Sequence, residues 1–286
     1  MLGNAAILCS DSQEVVSDYG KTTTQKIRTL HSPDHWRIGL VGAGDAACID
    51  LCQEELWRKL PPARFDYSEM LQIIRETVRE VHEEHVWPRQ GSANPPTFQL
   101  LIALQGLNPC CREVFHTQDS VVLPVDGYRS IGIGSYLSDY LHERVYRHDR
   151  IHTTRTEQAA RLEVLKLDEV KSAIHGCDGE TLIAIFSGDG GFTYMLGREV
   201  HEIESRFDEY SRDQKLLLDL VACPEMDEQQ FDQQLLQLTA NLRLLRARQA
   251  RDDRTQASRF SEFLKAQRRA STSNQPRSQE GQRTPD

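Results

Sequence analysis

Three residues near the amino end have the types from which a reaction centre is built, and each stands at the end of a short apolar run. Asp11 follows Ala5 to Cys9, Lys26 opens Gln25 to Leu30, and Gly42 closes Trp36 to Val41 in a glycine-rich bend, Gly42-Ala-Gly44-Asp-Ala-Ala47. A carboxylate, an amine and a bare backbone amide, once brought together, serve proton transfer and the stabilisation of developing negative charge. Taken singly, Asp11 also reads as a turn cap and Lys26 as a solvated charge at a strand end.

Other residues with chemical potential carry less. His82 and His85 in Val-His-Glu-Glu-His fall at i, i+3 on a helical pattern and could ligate a metal with Glu83 or Glu84. The spacing is not the i, i+4 of a zinc-peptidase helix, so a polar helix face is expected and no metal. The Gly-x-Gly-x-x-Ala string satisfies a dinucleotide fingerprint, but two strands precede it and a proline break leading into another helix, Pro61 to Met70, stands where a second parallel strand belongs. No cofactor is expected, and the glycines read as a close-packed strand-to-helix bend. Cys48 and Cys52, at i, i+4 on the apolar side of a helix, read as small core residues, and Cys110-Cys111 after Asn108-Pro109 as free thiols in a loop.

The positioning elements follow from periodicity. The three apolar runs predict strands paired as a meander, with a polar turn between the first two and His31 to His35 turning the last two. Gly3-Asn4 is a hairpin-type signal that implies a further strand before it. Ile49, Cys52, Leu56 and Leu60 then recur at helical spacing up to Pro61-Pro62, and Tyr67, Met70, Ile74, Val78 and Val81 up to Trp87-Pro88. Strands are predicted at Phe98 to Leu104, Phe115 to Thr117 and Val121 to Val125. Ser130 to Ser135 opens a helical pair carried by Tyr136, Tyr140 and Leu141, then by Ala159, Leu162, Leu165 and Val170. Thr181 to Phe186 and Phe192 to Leu196 close a hairpin about Ser187 to Gly191. Strands in runs between paired helices predict a layered α+β fold with mostly antiparallel sheets.

Composition narrows the function classes. A chain of 286 residues with 38% hydrophobic content can bury a sizeable core, and no apolar run approaches a membrane-spanning length. Seven cysteines, an odd number, with no signal-peptide pattern point to reduced thiols and a cytoplasmic setting. Residues 1–240 carry 23 basic against 38 acidic side chains, whereas 241–286 carry 11 against 5. The acidic body argues against nucleic-acid binding, and the basic tail has only Phe260 and Phe263 as aromatic residues. Phe231, Leu235, Leu238, Leu242 and Leu245 form a seam of about two heptads, too short for a coiled coil by itself, so packing on the body or a neighbouring subunit is expected. From Ala270 the composition is that of a disordered tail.

The run ILCSDSQ, then Lys26-Ile27, GLVGAGDAA opening a helix, RSIGIGSY opening a later one and the IAIFSGDGG turn resemble, in order and spacing, the proteasome-type N-terminal-nucleophile hydrolases and their bacterial, beta-subunit-like relatives. The resemblance covers residues 5 to 220. It implies a four-layer αββα sandwich of two antiparallel sheets between helix pairs, self-assembly into an oligomer or ring, and threonine-type cleavage of peptide bonds in a polypeptide substrate. By resemblance Asp11 and Lys26 match the carboxylate and lysine beside the nucleophile, and Gly42 the backbone N–H of the oxyanion site. The nucleophile and most of the first strand are expected upstream of Met1. Ile133 stands where the resemblance places a serine, and Ile174 or His175, with Cys177 or Asp178 nearby, where it places an aspartate. A non-catalytic binding or assembly subunit is therefore the alternative. The expected organisation is a domain over 1–224, a helical extension over 225–269 and a tail over 270–286.

Overall fold

Alternating burial along the strands dictates a layered structure. In the computed structural model, which describes residues 5–16, 20–108, 110–145, 156–188, 190–195, 197–222 and 225–273, strand β1 (Ala5–Asp11) turns Ala6 and Leu8 to one side and Ile7 and Cys9 to the other. A strand with apolar residues on both faces must be covered twice. The Gly3-Asn4 signal and the tail beyond residue 273 lie outside the described residues.

The first strand is followed by a small hairpin, β2 (Gln13–Val16) and β3 (Gly20–Thr23), and then by β4 (Ile27–Ser32) and β5 (Trp36–Gly44). Helices α1 (Ala46–Lys59) and α2 (Tyr67–Val81) come next, the second running on through a π-helical turn over His82–Val86. Asp45 and Asp66 cap the two helices, accepting from the backbone N–H of Cys48 and Glu69. Strands β6 (Phe98–Leu107), β7 (Cys110–Gln118) and β8 (Val121–Pro124) precede α3 (Ser135–Val145) and α4 (Thr156–Ala173). A last hairpin, β9 (Thr181–Ser187) and β10 (Phe192–Tyr194), leads to α5 (Gly197–Ala222) and α6 (Glu228–Ser273).

The fold is α+β, with two antiparallel sheets and helices on their outer faces. One sheet has the order β4-β5-β6-β7-β8 and the other β1-β9-β10. The expected meander of the first three strands is corrected here: β1 pairs with β9, from Ala5↔Ser187 to Asp11↔Thr181, and only β4 and β5 pair as neighbours. The segment expected to be a polar turn is the β2–β3 hairpin, and it carries the chain from one sheet to the other. Cys110 and Cys111 open β7 instead of sitting in a loop, because the ladder to Leu107 and Gly106 extends that far. Tyr136 and Tyr140, expected to carry the apolar face of α3, are 67% and 59% exposed.

Three apolar layers hold the sandwich. Ile38, Leu40, Leu100 and Ile102 pack with Leu56, Met70 and Ile74 under α1 and α2. Leu8, Ala184 and Phe186 meet Val41, Leu101 and Ala103 between the sheets. Ile183, Val164, Val200 and Ile203 close the far side. The chain divides into two compact units, Met1–Phe207 and Asp208–Asp286, and all three layers belong to the first.

Gly39 controls how closely the sheets approach. A Cβ there would lie 2.4 Å from the ring of Phe186 and 2.8 Å from Leu8, both fully buried or nearly so. Gly39→Ala is expected to cost about 1–3 kcal/mol in urea unfolding through overpacking. Adding Phe186→Leu should make the double variant more stable than the sum of the two singles.

Candidate functional site

Asp11 is the last residue of β1 and Lys26 the residue before β4, so they belong to different sheets, and the hairpin between them decides whether they meet. The base of that hairpin is closed by the Thr24 N–H donating to the Ser12 carbonyl at 2.8 Å. One step farther out, Lys26 Nζ donates to Asp11 Oδ1 at 2.6 Å. The other carboxylate oxygen accepts from the Asp178 N–H at 3.2 Å, and Ser12 Oγ accepts from the Glu180 N–H at 2.8 Å. Both ends of Asp11 are thereby held.

These residues line a cleft together with Gly42, Ala43 and Gly44, the turn Ser130 to Gly134 and Cys177. The structure thus brings the three sequence candidates to one cavity. Gly42 has a packing reason of its own, since a Cβ would fall 2.6 Å from Ile49 on α1. Gly44 has φ +106° and its Cβ would strike the Thr97 carbonyl, so the Gly-Ala-Gly bend is built by close approach of backbones. It leaves β5 in an antiparallel sheet, which is not the setting of a dinucleotide fingerprint.

The Ser130 to Gly134 turn is tied down by groups that sequence reasoning missed. Ser130 Oγ lies 3.0 Å from the Ser135 carbonyl and within reach of Asp139, and Tyr128 Oη lies 2.5 Å from Ser138 Oγ. The Tyr128 ring stacks on His142 at 3.7 Å, and Lys166 Nζ sits 4.0 Å above it while binding Glu163 at 2.8 Å and His142 Nδ1 at 3.0 Å. Lys166 is buried and the Glu163 side chain is 12% exposed. Burial holds the lysine below its ordinary range and the carboxyl above its own, each opposed by the attraction of its partner. The signal available in the sequence was Glu163 and Lys166 at i, i+3 on an apolar helix.

His82 also lines the cleft, 2% exposed and stacked on Phe98 at 4.7 Å, with neither ring nitrogen in a hydrogen bond of normal geometry. Burial lowers its pKa, and the nearby Asp119 opposes the shift without reversing it. His85 is half-exposed and beside Glu84. Among the described residues no three His, Cys, Asp or Glu side chains are placed to hold a metal ion, and no described helix is long and apolar enough to cross a membrane.

Comparison with solved structures identifies the fold. Anbu (ancestral beta-subunit) from Yersinia bercovieri is similar with a TM-score of 0.59 and 17% identity, over 73% of this chain and 91% of that one. Anbu from Hyphomicrobium sp. strain MC1 gives 0.60 and 12%, over 74% and 93%. Anbu from Pseudomonas aeruginosa, whose complex forms a helical assembly, gives 0.59 and 14%, over 74% and 92%. No family model and no curated protein matches the chain. The expected kinship with proteasome beta subunits is corrected accordingly: the structural neighbours are Anbu proteins, proteasome-like but a distinct family.

Two outcomes are expected from these environments. Lys166→Met strands a buried carboxyl and should cost about 3–5 kcal/mol, whereas Lys166→Met with Glu163→Leu should recover most of it, read by chemical denaturation. His82 and His116 both titrate below their ordinary value because of burial. Above about pH 6.5 neither folded nor unfolded imidazole is charged and no stability is at stake. Below it the unfolded chain takes up protons first, so stability falls toward the lowered folded values. His82→Phe, which keeps the stack on Phe98, should flatten that decline between pH 7.5 and 5.5 in urea midpoints.

Proposed function

We propose that the cleft at Asp11, Lys26 and Gly42 is the reaction site of an N-terminal-nucleophile amide hydrolase acting on polypeptides in the cytoplasm. The observation that supports this reading above the others is the 2.6 Å contact of Lys26 with Asp11 at the mouth of a cleft that Gly42 also lines. The attacking group would be a Thr, Ser or Cys whose own α-amine acts as base. A free α-amine titrates near 7.7–8.0 and accepts a hydroxyl proton at neutral pH, which a lysine of ordinary pKa does not. Lys26 would favour the activated nucleophile by its charge, Asp11 would hold Lys26 in place, and the Gly42 N–H would stabilise the oxyanion. The reaction domain in this reading is 1–224, with the helical extension 225–269 and the tail 270–286 outside it.

A second reading, a non-catalytic subunit on the same fold, is favoured by Ile133. It stands where the resemblance calls for a serine, and its side chain is 66% exposed. Either reading carries self-association, by analogy with the helical assembly of the Pseudomonas aeruginosa neighbour.

Intact mass and amino-terminal sequencing of protein from its natural source separate the two. A mature chain beginning with Thr, Ser or Cys should cleave fluorogenic peptides, and Lys26→Ala should lower the rate by about 100-fold or more without loss of fold. A mature terminus at Met1 or Leu2, or cleavage indifferent to Lys26, overturns the hydrolase.

A further inference from the structure

Among its described residues, the unit Asp208–Asp286 leaves most of its large apolar side chains at least partly uncovered. Its two helices run antiparallel, joined by Asn241 donating to Asp213 at 3.0 Å and by Arg248 with Glu209 at 3.1 Å. Leu220 and Leu238 are buried. Around them Phe231, Leu235 and Leu242 are 39–43% exposed along the α6 seam, and Leu217, Leu218 and Val221 on α5 are 47%, 66% and 77% exposed. The three α5 positions fall within an arc of about 100°, and the α6 seam within about 80°, so each helix carries a stripe, while Leu236 and Leu244, 71% and 57% exposed, stand off the α6 seam. Exposed apolar area of this extent marks an interaction surface.

Charge says what covers it. From Leu216 to Leu242 there are five carboxylates, Asp219, Glu225, Asp227, Glu228 and Asp232, and no Lys or Arg. From Arg243 to Arg251 there are four arginines and no acid. Arg248 is engaged by Glu209, while Arg243 and Arg246 are exposed. The hairpin is thus acidic at its turn and basic farther along α6. A surface polarised in this way is complementary to itself when turned end over end, and a two-fold arrangement is the common one for identical chains.

We propose that this helical unit docks on the same unit of a second copy of the chain, with the two α6 helices antiparallel about a two-fold axis near Gln237. The arrangement sets Glu228 against Arg246 and Asp232 beside Arg243 of the second copy, and it closes the Leu217, Leu218, Val221, Phe231, Leu235 and Leu242 stripe into a four-helix core. It rests on the self-association reading above and gives that reading an interface.

A charge exchange on the full chain tests it. Arg243→Glu with Arg246→Glu, and separately Glu228→Arg with Asp232→Arg, should each weaken the wild-type dimer by about tenfold or more in light scattering and sedimentation. Circular dichroism should stay unchanged. An equimolar mixture of the two variants should restore the dimer as a heterodimer, since each variant's turn then meets the opposite charge on the other. Val221→Asp should weaken association without being rescued by either. Wild type that remains monomeric overturns both self-association and this interface. Wild type that associates, with charge variants that associate equally well or fail to rescue each other, overturns the interface alone.

Discussion

The contact of Phe186 and Leu8 over Gly39 is the constraint on which the site depends. It fixes the separation of two sheets that contribute one residue each to the Lys26–Asp11 pair. Facing sheets lie about 10 Å apart, a distance a lysine and an aspartate bridge only when both reach toward the same point. The pair forms where the chain itself crosses, at the base of the β2–β3 hairpin, because the Thr24 to Ser12 hydrogen bond draws residues 11–12 and 24–26 together. The hairpin is therefore the positioning device. The anchoring of Asp11 by the Asp178 N–H ties the same point to the segment entering β9.

Two of the lysine–carboxylate pairs of this unit differ in their surroundings. The Lys26–Asp11 pair is partly buried, with side-chain exposures of 23% and 13%, its lysine more open to water than Lys166. Its importance is in where it holds an ammonium group, beside the Gly42 bend. The Lys166–Glu163 pair is withdrawn from water, where an apolar pair of equal volume would often serve stability as well. What an apolar pair would not do is hold His142 by a hydrogen bond and sit as a cation over Tyr128. Through Tyr128 and Ser138 that cluster reaches the Ser130 to Gly134 turn, so that part of the cleft is fixed from the α4 side.

Much of this was legible in the amino-acid order. Strands with alternating apolar residues, the two capped helices and the paired-helix pattern predict the layered α+β fold, and Asp11, Lys26 and Gly42 do reach one cleft. What was not legible lay in non-local pairing. Nothing in Ala5 to Cys9 says that its partners are Ser187 to Ile183 on β9, far along the chain, and the four-residue strands Gln13–Val16 and Gly20–Thr23 are too short for periodicity to announce them. Lys166 reads as a solvated charge until α4 is placed against Tyr128 and His142. Helix α5 carries Val200 and Ile203 at helical spacing, but its many charges mask the stripe. Kinship was illegible for a different reason: each quoted motif is short and weak by itself, and it is the comparison of whole folds that points to Anbu structures.

The cleft and the helical unit use separate parts of the chain, and this bears on how chemistry and assembly can vary. The described lining of the cleft ends at Cys177, and the inter-sheet core that sets its width ends at Tyr194. The exposed stripe lies wholly between Leu217 and Leu242. About a quarter of this chain lies outside each of the matches to Anbu structures. Among the described apolar residues of this helical pair only Leu220 and Leu238 are buried hydrophobics, so most of its apolar positions carry no internal packing constraint and are free, with the charge order, to encode partner choice. The sandwich has no such freedom, since a single methyl group at Gly39 would press on both sheets at once.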